Sequence, residues 1–382
     1  MTASEWVLGP AAGTDGFPGS VTFGPGSVRL LPEVVRRYAP RRVLLVGSRR
    51  GIAATGVAEL LGPWDVELFT RFSPNPGFDE ALRGCARRDA GRAELIIGVG
   101  GGSAMDVAKA VRTLPADRAE ALACLDGTRP PGRADRPPLI LLPTTAGTGS
   151  EVTRFATVFV GLDKRSLDHA LVAPDRTIVD PELAATCPPS LVTSCVLDAF
   201  CHAVESTCNT RATDGSRAYA RSALALLRDH LARDLAGGSA ADRESRAVAS
   251  VLAGRAIDIT RTTAAHGFAY RMTSQFGIPH GVAAALNLMW LYDYNLAHAE
   301  PPAQASIRLV AELLGLTCDD VPAVVSQTLT ANGWPARLSG YGITEDDLPE
   351  LIRMGIGHRG RSDRNLAALR PDAVLRWMKR VL

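Results

Sequence analysis

Two patterns of apolar positions divide the chain. Over roughly its first half, short β-branched or aliphatic runs alternate with helix-like segments, the pattern of a parallel sheet flanked by helices. Arg42-Val43-Leu44-Leu45-Val46 predicts a buried strand, followed by a helix over about 52–61 and a second strand at Val66-Glu67-Leu68-Phe69. The turn Ser73-Pro74-Asn75-Pro76 cannot continue that strand, and a helix over about 78–88 comes next. Glu94-Leu95-Ile96-Ile97 and Leu139-Ile140-Leu141-Leu142, the latter stopped by Pro143, predict two more strands. Ahead of them, Val21-Thr22-Phe23-Gly24-Pro25-Gly26 reads as a small edge hairpin.

From Pro188-Pro189 onward the pattern changes to long amphipathic or wholly apolar segments, such as 216–235 and 243–259, with few β-branched runs. This half reads as a helical domain. The boundary is expected near 181–189, with Ser190 as the N-cap of the next helix. The organisation expected is an α/β domain over 1–185 and an all-α domain over 186–382.

Composition narrows the class. The 382 residues allow two domains with full cores. The 42 basic residues are nearly balanced by 40 acidic ones, which leaves no footprint for nucleic acid, although Arg359, Arg361, Arg364 and Arg370 make the C-terminal end locally basic. Seven cysteines form no Cys-x-x-Cys pair and read as reduced thiols. The segment Met1-Thr2-Ala3-Ser4-Glu5-Trp6 lacks a basic region followed by an apolar core, and no 18-residue apolar run occurs. A cytoplasmic protein with no membrane span is expected.

Three places carry chemistry. The strand at 94–97 runs into Gly98-Val99-Gly100-Gly101-Gly102-Ser103, and a helix begins at once with Ala104-Met105-Asp106-Val107-Ala108-Lys109. Glycines there let backbone N–H groups approach phosphate oxygens, and the helix dipole favours negative charge, so a dinucleotide pyrophosphate fits. The Gly-x-Gly-x-x-Gly fingerprint is not met, and a simple tight turn is the alternative. The second place, Pro143-Thr144-Thr145-Ala146-Gly147-Thr148-Gly149-Ser150-Glu151-Val152-Thr153, puts many hydroxyls where a parallel strand ends, a ligand-binding position in open α/β sheets.

The third is a quartet. Asp198 and His202 stand at i and i+4, one turn apart on one helix face, where both can reach a single ion. His266 follows in a helix-like run, and His280 lies in Gly277-Ile278-Pro279-His280-Gly281, where Gly and Pro break any helix. One carboxylate and three imidazoles would bind Fe(II), Zn(II), Cu or Ni and leave positions open for a substrate oxygen. Spacing alone leaves packed or surface histidines as the alternative.

Read in order, the glycine turn with Asp106 and Lys109, the threonine loop, Asp198-x-x-x-His202, and His266 followed by His280 resemble the iron-containing (group III) alcohol dehydrogenase family. The resemblance implies its fold, also that of the dehydroquinate synthase-like proteins: an α/β dinucleotide-binding half, a helical metal-binding half, and substrate in the cleft between. It implies an NAD(P)-dependent oxidoreductase in which Asp198, His202, His266 and His280 bind the metal. Gly101, Gly102 and Ser103 would hold the pyrophosphate; Thr144, Thr145 and Thr148 would line the adenosine side; Lys164 would lie near the nicotinamide ribose; Asp106 would also belong to the cofactor site. A small-molecule aldehyde or alcohol is the expected partner, and a homodimer the expected assembly.

Two departures matter. Many members carry a second histidine four residues after the third ligand, where this chain has Tyr270, a candidate proton donor. After the first strand stands Gly47-Ser48-Arg49-Arg50, with no carboxylate to repel a 2′-phosphate, which favours NADPH over NADH. The stretches at 72–76, 150–156 and 265–270 look closer to the phosphonoacetaldehyde reductase branch than to simple alkanol dehydrogenases. That substrate would need cations, for which Arg154, Arg271, Arg359, Arg361 and Arg364 are candidates. A general short-chain alcohol dehydrogenase and a dehydroquinate-synthase-like cyclase are the alternatives.

Overall fold

The computed structural model describes residues 20–132, 136–161, 163–236 and 238–382. The N-terminal residues read above for an export signal lie outside these. The chain divides into two compact units, Met1–Cys187 and Pro188–Leu382.

The first unit is built on six strands: β1 (Ser20–Phe23), β2 (Arg42–Gly47), β3 (Asp65–Phe69), β4 (Leu95–Gly100), β5 (Leu139–Pro143) and β8 (Arg176–Val179). They form one parallel sheet in the order β1-β8-β5-β4-β2-β3. Alternate residues of the central strands enter opposite cores, as a side-chain period of two requires. Val43, Leu45, Ile97, Val99 and Ile140 pack on one face, and Leu44, Val46, Ile96 and Leu141 on the other with Met105 and Val111 of the Gly102–Thr113 helix. Both faces are covered, so β2, β4 and β5 read as unbroken apolar runs. A separate antiparallel ribbon joins β6 (Phe155–Val160) to β7 (Asp163–Asp168).

The sheet corrects two expectations. Residues 21–26 do not form a hairpin: β1 runs parallel to β8, and the chain leaves it through Gly24 (φ 142°) and Gly26 (φ 74°) into a 3-10 turn. The Asp180 carboxylate, just past β8, pins that turn by accepting from the backbone N–H groups of Gly26 and Val28. The Gly-Pro-Gly run therefore redirects the chain instead of reversing it. The helix expected over 52–61 is two, Arg49–Thr55 and Val57–Leu60, separated by Gly56 at φ 64°.

The second unit carries its secondary structure as helices, packed around Pro189–Thr207, which is buried from Thr193 to Thr207. Its N-cap is Pro188 and Pro189 takes the first helical position, so Ser190 already lies inside the helix. Proline fits there because the N–H it lacks has no helical acceptor anyway. His280 also differs from expectation. It opens the His280–His298 helix: Gly277 (φ 69°) ends the preceding helix, Ala264–Phe276, and Pro279 caps the next. Those breakers punctuate two helices and do not make a loop ligand. The sheet-plus-helices half followed by a helical half is the expected fold class. No described helix is long and apolar enough to cross a membrane.

Candidate metal centre and nucleotide cradle

Three helices bring the quartet together. Asp198 and His202 project from the buried Pro189–Thr207 helix, His266 from the first turn of Ala264–Phe276, and His280 from the first position of His280–His298. Gly281 makes this approach feasible. A Cβ there would run into the carbonyl oxygen of Ser194 and lie 2.8 Å from Asp198 Cβ, so only glycine lets the third helix start against the first beside its aspartate.

Ligand atoms of Asp198, His202 and His266, all three side chains buried, lie within 4.8 Å of one another. His266 Nε2 is 3.1 Å and His202 Nε2 is 3.7 Å from Asp198 Oδ1. Two donors each about 2.1 Å from one ion in a tetrahedral arrangement stand about 3.4 Å apart, so these spacings suit a shared cation. The imidazoles of His202 and His266 stack at 4.6 Å between centroids, and His280 meets His266 edge-on at 5.3 Å.

The charges test whether a cation fits. Behind His266 lies Glu205, 1% exposed, with Oε2 on Nδ1 of the ring. Both nitrogens of His266 thus face carboxylates, yet a neutral imidazole has only one proton to donate. Bonding both carboxylates takes a second proton on the ring or a metal ion at the second nitrogen. The ionisation equilibria say the same. Burial would raise the carboxyls of Asp198 and Glu205, yet nearby histidines and hydrogen bonds hold both below the usual carboxylate range. Burial would lower His266, but Glu205 and Asp198 push it up to about 10. Without a metal the cluster keeps a proton in its place, so the donor set fits a divalent cation.

The first unit holds the other expected site. Gly101 caps the Gly102–Thr113 helix in an extended conformation, and the N–H groups of Gly102 and Ser103 lie ahead of the first helical hydrogen bond, from Ala104 N–H to Gly101 O. A Cβ on Gly101 would stand 3.2 Å from Thr145 Oγ1, and one on Gly102 would be 2.8 Å from Thr148 Cγ2. The space between the glycine and threonine turns is one that side chains would fill. Thr145 Oγ1 is buried with no hydrogen-bond partner, so a phosphate oxygen would satisfy it. The residues present fit a dinucleotide pyrophosphate.

The profile of the iron-containing alcohol dehydrogenase family matches residues 18–181, and that of the Fe-containing alcohol dehydrogenase family C-terminal region matches residues 192–382. The chain belongs to the iron-containing alcohol dehydrogenase family. Long-chain-alcohol dehydrogenase 1 of Geobacillus thermodenitrificans is 29% identical over 364 residues, 88% of either chain. Phosphonoacetaldehyde reductase of Streptomyces viridochromogenes is 31% identical over 334 residues, 78% of this chain and 82% of that one. Sulfoacetaldehyde reductase of Bifidobacterium kashiwanohense, solved in complex with NAD+, superposes with a TM-score of 0.87 at 25% identity, covering 96% of this chain and 98% of its own. As a family member this is an alcohol dehydrogenase-type oxidoreductase of aldehydes and alcohols.

The remaining residues of this family member separate into groups. Tyr270 stacks on His280 at 5.6 Å and 11°, faces His358 at 4.9 Å, and its hydroxyl oxygen accepts a 3.2 Å hydrogen bond from Arg361 Nε. Arg361 reaches it by packing over Gly267, 3.5 Å from where a Cβ would be. Arg271 falls in electrostatic range of Glu350 instead. Arg154 belongs to the first unit, where its carbonyl accepts from the backbone N–H of His169. The carbonyl of Arg364 accepts from Thr210 N–H, and the side chain of Arg359 lies outside the described residues.

In the cradle, Ser103 Oγ accepts from the backbone N–H of Asn75 and Thr148 Oγ1 from that of Ser150, while Thr144 N–H donates to Gly100. Asp106 Oδ1 accepts from Ser150 Oγ and Oδ2 from Thr157 N–H, and buried Lys109 donates to Thr153 Oγ1 and Phe155 O. These two tie the threonine turn to the glycine helix and set the width of the cradle. Lys164, on β7, adds its charge against the burial that raises Asp106. Ser48 caps Arg49–Thr55 by accepting from Gly51 N–H, with Arg49 and Arg50 exposed beside it.

Sequence reasoning missed Glu205 and His358. Glu205 had a signal: with Asp198 and His202 it completes an i, i+4, i+7 row on one helix face. His358 had none, because only the packing of Leu348–Gly357 against Ala264–Phe276, with Gly355 against Phe268, brings it to Tyr270.

Proposed function

We propose that this protein is a metal-dependent NAD(P)H aldehyde reductase that forms a primary alcohol, with phosphonoacetaldehyde, reduced to 2-hydroxyethylphosphonate, as its substrate. The observation that carries the reading is the buried cluster of Asp198, His202 and His266 beside His280, whose converging donors and compensating charge suit a divalent cation. These four would hold Fe(II), and Zn(II) accepts the same donors. Gly101, Gly102, Ser103, Thr144, Thr145, Thr148 and Lys164 would hold the coenzyme. Ser48, Arg49 and Arg50 after β2 favour NADPH over NADH, since they offer cations and no repelling carboxylate.

When bound, the cation supplies a Lewis acid for the carbonyl oxygen and the reduced nicotinamide supplies hydride. The protein supplies the proton. Tyr270 holds one at its hydroxyl, and Arg361, by donating to that same oxygen, occupies a lone pair and turns the phenolic hydrogen away from the guanidinium. Arg361 and His358 beside Tyr270 would also attract an acidic substrate group, with Arg271 as a further candidate. Reductases of two acid-bearing aldehydes among the relatives support that preference. A neutral alkanal is the second reading, supported by the long-chain-alcohol dehydrogenase relative.

The test is NADPH oxidation by the full-length protein loaded with Fe(II) or Zn(II). Phosphonoacetaldehyde is expected to exceed butyraldehyde in kcat/KM by at least about tenfold, the size of one charge-assisted hydrogen bond. Equal values overturn the substrate assignment, and inactivity with every aldehyde overturns the reductase reading.

A further inference from the structure

Glu205 makes contacts that no ligand role explains. Its Oε1 accepts from the backbone N–H of Thr263 at 3.0 Å, from Thr263 Oγ1 at 2.7 Å and from the backbone N–H of His266 at 3.2 Å, while Oε2 sits on His266 Nδ1. One oxygen therefore caps the helix that carries His266, as an N-cap side chain would, but from a different helix. The other fixes the ring on that helix. Glu205 itself stands one turn beyond His202, on the helix that also carries Asp198. A single buried carboxylate thus locks three ligands from two helices into one frame.

We propose that Glu205 is a positioning residue that sets the tautomer of His266 and with it the affinity of the centre for its metal. The inference rests on the reading of Asp198, His202 and His266 as ligands. With Nδ1–H held by Oε2, the lone pair of Nε2 is turned toward Asp198 and His202, and the carboxylate makes the imidazole a stronger donor.

Glu205→Gln is the discriminating change because the amide cannot reproduce both halves. If its oxygen stays with the three donors at 263–266, its NH2 faces Nδ1, which must then accept, and the proton moves to Nε2. If its oxygen faces Nδ1–H, its NH2 meets three donors. Either arrangement breaks one side of the frame.

The experiment titrates full-length apoprotein and its variants with Zn(II) against a competing chelator. Zn(II) is expected to bind Glu205→Gln about 10- to 100-fold more weakly than the parent, the range for residues that orient a ligand. Thr263→Val, which removes one cap hydroxyl and leaves the carboxylate on the ring, should lower Tm and keep parental affinity. A folded Glu205→Gln protein with parental affinity overturns the inference while leaving the ligand reading intact. A parent that binds no Zn(II) overturns the ligand reading itself. Should Glu205→Gln not fold, ring 15N shifts of His266 in the parent zinc complex decide: metal on Nε2 with a proton on Nδ1 supports the assignment, and metal on Nδ1 ends it.

Discussion

The two site-bearing regions use different parts of their amino acids. The cradle of the first unit is made of backbone and hydroxyls: Gly101 and Gly102 provide absence of side chain, and Thr145 an unpartnered oxygen. The cluster of the second unit is made of charged side chains, with two buried carboxylates arranged around His266. A cradle of dipoles is satisfied with or without its ligand at modest cost. Buried carboxylates set about one histidine need a compensating positive charge, a proton where the metal is absent, since isolated buried charge is expensive. The helical region should therefore depend far more on its ligand than the α/β region does on its own.

The largest expected effect tests that contrast. His266→Ala removes one ligand and the partner of Glu205 together. Metal content should fall below detection, and activity by about 10^4-fold, corresponding to several kcal/mol of transition-state stabilisation at 1.36 kcal/mol per decade. Coenzyme affinity, measured by NADPH fluorescence, should stay within about twofold of the parent. Loss of coenzyme binding in the same variant would show that the two regions are not separable.

The same contrast explains what was legible in the sequence. The glycine and threonine turns each lie in one short stretch, so their part can be read from a strand, a turn and a helix start. Asp198 and His202 were legible for the same reason, being one turn apart on one helix. His280 was recognised by its order after His266 but misread in place, because Gly277 and Pro279 signal equally a loop and the seam between two helices. Glu205 depends on the docking of a helix 58 residues away in sequence, and local spacing shows only its face, not its partner. In the sheet, β8 is a four-residue strand and β7 is nearly all polar, so neither offers an apolar run to find. The path out of β1 was misread as a hairpin reversal because the geometry of the Gly-Pro-Gly sequence is set by Asp180, more than 150 residues on.

An intermediate effect separates charge from proton supply inside the helical region. Tyr270→Phe keeps the ring that stacks on His280 and removes only the hydroxyl that accepts from Arg361. Metal should remain bound at parental stoichiometry, while kcat falls about 10^2-fold or more, the usual contribution of a positioned general acid. Metal loss in this variant would instead make Tyr270 part of the binding frame and remove its role as donor.

The smallest effect belongs to the cradle, and its size is the point. Thr145→Val replaces one hydroxyl by a methyl of nearly the same volume, next to Gly101, and leaves every hydrogen bond within the unit unbroken because Thr145 Oγ1 makes none. One hydroxyl hydrogen bond to a charged phosphate oxygen contributes about 1.5 kcal/mol, so coenzyme Kd should rise about tenfold. Metal content and kcat at saturating coenzyme should not change, and Tm should hold or rise, since an unsatisfied buried hydroxyl has been removed. A drop in Tm without a change in Kd would mean that the hydroxyl serves the fold and that the cradle binds its ligand elsewhere. A Kd effect as large as the loss of metal in His266→Ala would break the contrast from the other side, because a region of dipoles would then depend on its ligand as strongly as a region of charges.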